Sequence, residues 1–272
     1  MLVSPSILSA DWTRLDHAVR LAEEGADWLH CDVMDGHFVP NLTFGPPMVA
    51  ALHRMTKLPL DVHLMIDEPL RYARAFVDAG AHVLTVHAEA PGVAGPGWPA
   101  PVRSQGEGGA GDDAPAAAPA VPPGGGAHPI DLRRLRATLE KLRATGAKSG
   151  LALRPDTGID EIEPVLDVVD LLLVMTVYPG FSGQSFLPGP LETIRRAVGV
   201  RRARGLSYLI EVDGGVAIED TGPRVAAAGA DVVVAGHGVY RQGDPVAAMR
   251  ALRALVPAAY APGADPDGGE AA

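Results

Sequence analysis

Eight short apolar runs recur along the chain: Leu2–Leu8, Trp28–Val33, Leu60–Met65, Val83–His87, Gly150–Leu153, Leu171–Val177, Tyr208–Val212 and Val232–Ala235. Each has the length of a buried strand. Between them lie stretches whose apolar residues repeat at helical spacing: Trp12–Glu24, Pro46–Met55, Pro69–Ala79, Leu132–Thr145, Ile159–Val168, Leu191–Arg204, Thr221–Ala228 and Pro245–Leu255. Gly25, Gly80 and Gly229 stand just after helical stretches, where glycine is expected to close the helix in a left-handed conformation. Strand alternating with helix predicts a parallel sheet. Eight such units in 272 residues predict an α/β chain of the (β/α)8 TIM-barrel type. An open doubly wound sheet would carry a Gly-x-Gly-x-x-Gly turn after an early strand, and the loop Ser6–Trp12 contains no glycine.

Residues 91–129 break the pattern. Gly and Pro make up about half of them and apolar periodicity is absent, a composition that cannot bury a core. The domain reading is therefore a barrel over 1–256, interrupted by a disordered 91–129 insertion, with a flexible tail at 257–272. The insertion follows the fourth strand and so emerges on the face where barrels carry their catalytic loops. A solvated loop is expected there rather than a lid.

Composition narrows the function. The hydrophobic share of 47% allows a large core, and the net charge of −10 excludes a general nucleic-acid binder. Cys31 is the single cysteine, which excludes an internal disulfide framework and fits a reducing compartment. The start of the chain has neither a basic segment followed by an apolar run nor a membrane span, so a cytoplasmic protein is expected.

The chemistry sits on alternate strand positions, which share one face. His30, Asp32 and Met34 form such a stripe on the second strand, and Asp61, His63 and Met65 repeat it on the third. The seventh strand ends Glu211-Val212-Asp213. In a barrel these residues point inward and converge near the top. Buried carboxylates are costly unless paired or metal-bound, so one divalent ion on His30, Asp32, His63 and Asp213 is expected. Imidazole and carboxylate ligands favour Zn2+, with Fe2+, Mn2+ or Co2+ as alternatives. Met34, Met65 and Met175 would form an apolar collar around it, and Cys31, of opposite parity, would face the outer helices. The loop Gly180-Phe181-Ser182-Gly183, the pair Gly214-Gly215 and Gly236-His237 follow strands six, seven and eight, where backbone N–H groups can surround a phosphate.

These blocks, together with Ser4 to Asp11, His30 to Asn41, Asp61 to Met65, His87-Ala88-Glu89 and Met175 to Phe186, resemble the ribulose-phosphate 3-epimerase family. The resemblance implies interconversion of D-ribulose 5-phosphate and D-xylulose 5-phosphate, in the pentose phosphate pathway or the Calvin cycle. It implies a metal on His30, Asp32, His63 and Asp213, with Asp32 and Asp213 as the acid/base pair working at C3 through an enediolate. It also implies substrate contacts from Ser6, His63, Gly180, Phe181, Ser182, Gly183, Gly214, Gly215, Gly236 and His237. The chain departs from the family pattern at Ser182, where glycine is usual, and at His237, where serine is usual. A homo-oligomer is expected, with a small sugar phosphate as the only other partner. Three alternatives stand beside this reading: an allulose-6-phosphate 3-epimerase, a lyase of the orotidine-monophosphate decarboxylase kind, and a non-catalytic sugar-phosphate sensor. The lyase would carry a lysine where His63 stands, and the sensor would be expected to lack one of the two aspartates.

Overall fold

The computed structural model describes residues 1–94 and 130–257. Eight strands form one parallel sheet: β1 Leu2–Ser4, β2 Leu29–Met34, β3 Leu60–Met65, β4 Ala81–His87, β5 Lys148–Leu153, β6 Leu171–Met175, β7 Leu209–Asp213 and β8 Val232–Val234. Their order is β1-β8-β7-β6-β5-β4-β3-β2. A parallel bridge between Ser6 and His30 joins the two ends of the sheet, with the His30 N–H donating to Pro5 O at 3.1 Å. The eight-stranded barrel expected from the apolar runs is therefore present.

The helices are α1 Leu15–Gly25, α2 Pro46–Met55, α3 Pro69–Asp78, α4 Pro91–Ala94, α5 Leu132–Ala144, α6 Pro190–Ala203, α7 Thr221–Ala228, α8 His237–Tyr240 and α9 Pro245–Arg253. One apolar core lies between helices and sheet, and Cys31 belongs to it alongside Leu29 and Val33 of the same strand. A second cluster fills the barrel: Val83, Ala152, Leu171, Leu173, Met175 and Val177. This inner filling is lopsided. Strands β4 to β6 supply its apolar side, whereas β2, β3 and β7 turn His30, Asp32, Asp61, His63 and Glu211 inward, all buried.

Several boundaries differ from the sequence reading. The first apolar run stops as a strand at Ser4, and Ile7–Ser9 turns into a 3-10 helix because the Ser6 side chain accepts from Leu8 N–H. The expected helix over Ile159–Val168 is two 3-10 segments, Ile159–Glu161 and Glu163–Val168; Pro164 near the start of the second supplies no N–H. Gly80 and Gly229 have positive φ as expected, but Gly25 does not. It ends α1 close against α9: a Cβ there would lie 3.1 Å from Met249 Cβ. The first four residues of the expected 91–129 insertion are described. Pro91–Ala94 is a helical turn with Val93 buried, and the Gly92 N–H donates to Asp67 O at 2.8 Å. Residues 95–129 and 258–272 lie outside the described residues.

Candidate active site

The sequence-predicted residues meet at the C-terminal mouth of the barrel. A cavity of about 250 Å³ opens there, with Asp32 and Asp213 on its floor. Met34, Met65 and Met175 face it from three strands, and Ser6 from the loop after β1. Gly180, Phe181, Ser182, Gly183, Gly214, Gly215, Gly236 and His237 line its rim. His30 and His63 stand behind the carboxylates, fully buried.

Strand register explains the convergence. In the β2–β3 ladder His30 pairs with Asp61, Asp32 with His63 and Met34 with Met65, so two like-facing stripes lie side by side. Asp213 ends β7 opposite Val234 of β8. One ligand atom from each of His30, Asp32, His63 and Asp213 lies within 4.8 Å of the others.

The hydrogen bonds dictate which ring nitrogens face the cluster. His30 Nδ1 is 2.5 Å from Asp61 Oδ2, which leaves Nε2 pointing at Asp32 Oδ1, 3.4 Å away. His63 Nε2 is 2.9 Å from His87 Nε2, which leaves Nδ1 also 3.4 Å from Asp32 Oδ1. Both inward nitrogens are buried and lack a hydrogen-bond partner. Zinc bonds of about 2.0–2.1 Å in a tetrahedron place neighbouring ligand atoms about 3.3 Å apart. Two orphaned imidazole nitrogens at nearly that spacing from a carboxylate oxygen therefore fit a divalent ion, and the donor set of two nitrogens and two carboxylates fits as well.

The electrostatics agree. Burial works against a charge on His30, but Asp61 and Asp32 raise it well above the ordinary histidine value; the same field favours a cation. Burial would raise Asp32, yet the neighbouring His30 charge holds it far below the carboxylate range. Asp213 is pushed up to about 7 by burial and by the Asp32 charge. The two carboxyl groups thus differ in proton affinity within one small site. Deeper in the barrel, Glu211 is raised well above its usual value by burial and by Asp61. Asp61 Oδ1 and both Glu211 oxygens have no donor nearby. A proton retained on Glu211 and donated to Asp61 Oδ1 gives a partner to that oxygen and to one of the two Glu211 oxygens.

Backbone freedom shapes the rim. Gly214 and Gly215 have φ of +117° and +64°, and a Cβ on Gly214 would come 2.5 Å from Val177 Cγ2. The loop after β6 is held by Gln184, whose amide donates to Tyr178 O and Phe181 O, and by Asn41 from the loop after β2, which donates to Gly180 O at 2.8 Å. Ser6 donates to Asp32 Oδ2 at 2.5 Å. Among the described residues neither lysine nor arginine lines the cavity, and His237 is the one histidine that does.

Four polar residues that the sequence reading names without a role stand behind the cavity: Asp61, bonded to His30; Glu211, close to Asp61; and His87 and Glu89, which follow His63 in a buried chain. The signal for His87 and Glu89 was their like parity at the end of β4, in a block singled out only for its resemblance.

Residues 2–95 and 125–240 match the sequence model of the Ribulose-phosphate 3 epimerase family. Among the relatives, the ribulose-phosphate 3-epimerase of Mycobacterium tuberculosis is 42% identical over 256 residues, which cover 93% of this chain and 91% of that protein. The Bacillus subtilis protein of the same name is 41% identical over 253 residues, covering 92% of this chain and 97% of its own. The structure is similar to 3-hexulose-6-phosphate synthase from Salmonella typhimurium, with a TM-score of 0.59 at 16% identity over 94% of this chain and 98% of that one; at that identity the likeness speaks for the barrel alone. With a family match on both sides of residues 96–124 and relatives this similar over nearly their whole length, this chain belongs to the ribulose-phosphate 3-epimerase family.

Proposed function

We propose that the chain interconverts D-ribulose 5-phosphate and D-xylulose 5-phosphate by moving a proton at C3 between two carboxyl groups. The observation that carries this reading is the pair Asp32 and Asp213, brought from β2 and β7 to the floor of one cavity. Inversion at a carbon next to a carbonyl needs a base on one face and an acid on the other. Asp32 starts as the carboxylate and Asp213 as the acid, and their roles exchange in the reverse direction. Ser6 holds Asp32 through its hydroxyl, and the methionines from β2, β3 and β6 keep water from the reacting carbon. His30, Asp32, His63 and Asp213 would hold one divalent ion, Zn2+ before Fe2+, Mn2+ or Co2+. Such an ion supplies a fixed positive charge against the charge that develops on the sugar oxygens.

The substrate's phosphate sits in this reading against the N–H groups of the Gly214-Gly215 turn and beside Gly236 and His237. A binding site with no lysine or arginine among its described lining residues suits a chain of net charge −10, because the anion is recognised locally by oriented amides. The enzyme acts in the cytoplasm, where Cys31 stays reduced; among the described residues no helix is long and apolar enough to cross a membrane. Self-association is part of the same reading. Leu42 and Tyr72 are exposed beside Phe44, and Phe44 packs against the exposed Trp12, which offers a second copy an apolar surface.

The test is exchange of the C3 proton into deuterated water with each sugar phosphate. Wild-type protein is expected to exchange and epimerise the pentulose phosphates faster than allulose 6-phosphate. Asp32→Asn and Asp213→Asn are each expected to reduce turnover by at least about 10³-fold with unchanged circular dichroism. Near-normal turnover in either variant would remove the two-base scheme.

A further inference from the structure

The buried chain behind His63 has a direction. Glu89 Oε1 accepts from the Arg154 N–H at 2.8 Å, and Glu89 Oε2 is 3.0 Å from His87 Nδ1. His87 Nε2 is 2.9 Å from His63 Nε2. His63, His87 and Glu89 are all completely buried. The backbone amide engages one carboxylate oxygen, and the carboxylate has no proton to give. His87 must therefore carry its proton on Nδ1 and donate to Glu89. Full burial keeps this imidazole neutral, so its Nε2 is a lone pair. His63 must then donate from its own Nε2, which leaves a lone pair on His63 Nδ1. That is the nitrogen aimed at Asp32 Oδ1 and lacking any partner.

We propose that His87 and Glu89 are positioning residues that fix the tautomer and ring angle of His63, so that His63 Nδ1 is presented as a preformed metal ligand. The inference rests on the metal reading of the site and goes beyond it, because neither residue can reach the metal position. Packing holds the chain rigid from the side. Phe38 lies 4.8 Å from the His87 ring, and the Arg154 guanidinium lies 4.8 Å from the Phe38 ring. His30 reaches the same end by a shorter route, through Asp61 alone. The two histidines thus present different nitrogens, Nε2 from His30 and Nδ1 from His63, and each choice traces to a carboxylate, Asp61 directly for His30 and Glu89 through His87 for His63.

The experiment has two readouts. The first is the imidazole nitrogen spectrum of 15N-histidine-labelled, metal-free protein. Wild type is expected to show His63 protonated at Nε2 and His87 at Nδ1; His63 protonated at Nδ1 would overturn the proposal without bearing on whether metal binds. The second is Zn2+ affinity measured by chelator competition. His87→Leu removes the acceptor and is expected to weaken Zn2+ binding by about 10- to 100-fold and to mix the His63 tautomers. His87→Gln, whose amide oxygen can still accept from His63 Nε2–H, is expected to stay within about threefold of wild type and to keep the Nε2–H signal. Glu89→Gln covers the case in which His87→Leu does not fold, and is expected to be intermediate. Wild-type Zn2+ affinity in a folded His87→Leu or Glu89→Gln protein with a scrambled His63 tautomer would also overturn the proposal. Absence of stoichiometric Zn2+ binding by wild type would instead remove the metal reading itself, and with it the purpose assigned to the chain.

Discussion

A histidine buried in its neutral form makes a fold acid-sensitive, and His87, completely buried behind His63, is such a residue. Burial pulls His87 down to about 4, although Glu89 acts in the opposite direction. The unfolded chain protonates the same side chain near 6.5, so between these values the unfolded state binds more protons. Stability is therefore complete above about pH 6.5 and falls as the pH drops toward 4, by about 2 kcal/mol at about pH 5 from this residue. Glu89, held below its usual value by the His87 hydrogen bond against the effect of burial, adds loss of the same sign at lower pH. Urea unfolding of chelator-treated wild type and His87→Gln at about pH 7.5 and about pH 5 checks this. The wild type should lose more stability than the variant on acidification, and parallel losses would show that His87 does not titrate as described. The convergence of His30, Asp32, His63 and Asp213 was legible from strand parity because parity alone sets which face a side chain takes. Depth along the barrel axis is not written in parity. Asp61 and Glu211 share the inward face with His63 and Asp213 but lie one layer lower, where they orient and hold protons rather than meet the cavity.

Among the secondary-structure elements, the neighbours of β4 and β5 show how closely the barrel interior is filled. Gly150 of β5 faces Thr85 of β4, its ladder partner. A Cβ at Gly150 would collide with Thr85 Oγ1 and lie 2.9 Å from Thr85 Cα. Rotating the threonine side chain relieves only the first clash, so the strands themselves must separate. Gly150→Ala is expected to destabilise the fold by about 1–3 kcal/mol, with the urea midpoint lowered and the slope unchanged. Gly146→Ala is a control for the general effect of replacing a glycine, because nothing lies within 4 Å of its position; its φ of +96° makes its own cost conformational rather than steric. The apolar runs located all eight strands because buried parallel strands read as uninterrupted hydrophobic segments. Their ends were less legible. Ser6 ends the first run by accepting from Leu8 N–H, and that local capping bond competes with continued pairing.

For the molecule as a whole, the remaining question is whether the segment after β4 belongs to the catalytic machinery. The family match stops at residue 95 and resumes at 125, so the shared barrel is complete without the residues between. The structure fixes where the cut can be made. Val93 is buried, Gly92 O accepts from Arg134 Nε at 3.0 Å, and the Gly92 N–H donates to Asp67 O. A Cβ on Gly92 would come within 2.5 Å of that same Asp67 oxygen. The turn Pro91–Ala94 is thus part of the barrel's packing, and a deletion that begins at 93 would remove a core side chain. The hydrogen bond between Gly92 and Arg134 also brings α4 close to the start of α5, so a short linker can join them. Loop closure depends only weakly on length, so shortening the connection changes stability by little. Replacing residues 95–129 by a short Gly-Ser linker is expected to leave kcat and KM for ribulose 5-phosphate within about threefold of wild type, with the thermal midpoint preserved. A deletion that also removes Val93 is expected to lower the midpoint while leaving kcat of the folded fraction intact. If the linker variant instead folds normally but loses kcat, the segment takes part in closing the cavity whose floor is Asp32 and Asp213, and the solvated-loop expectation fails.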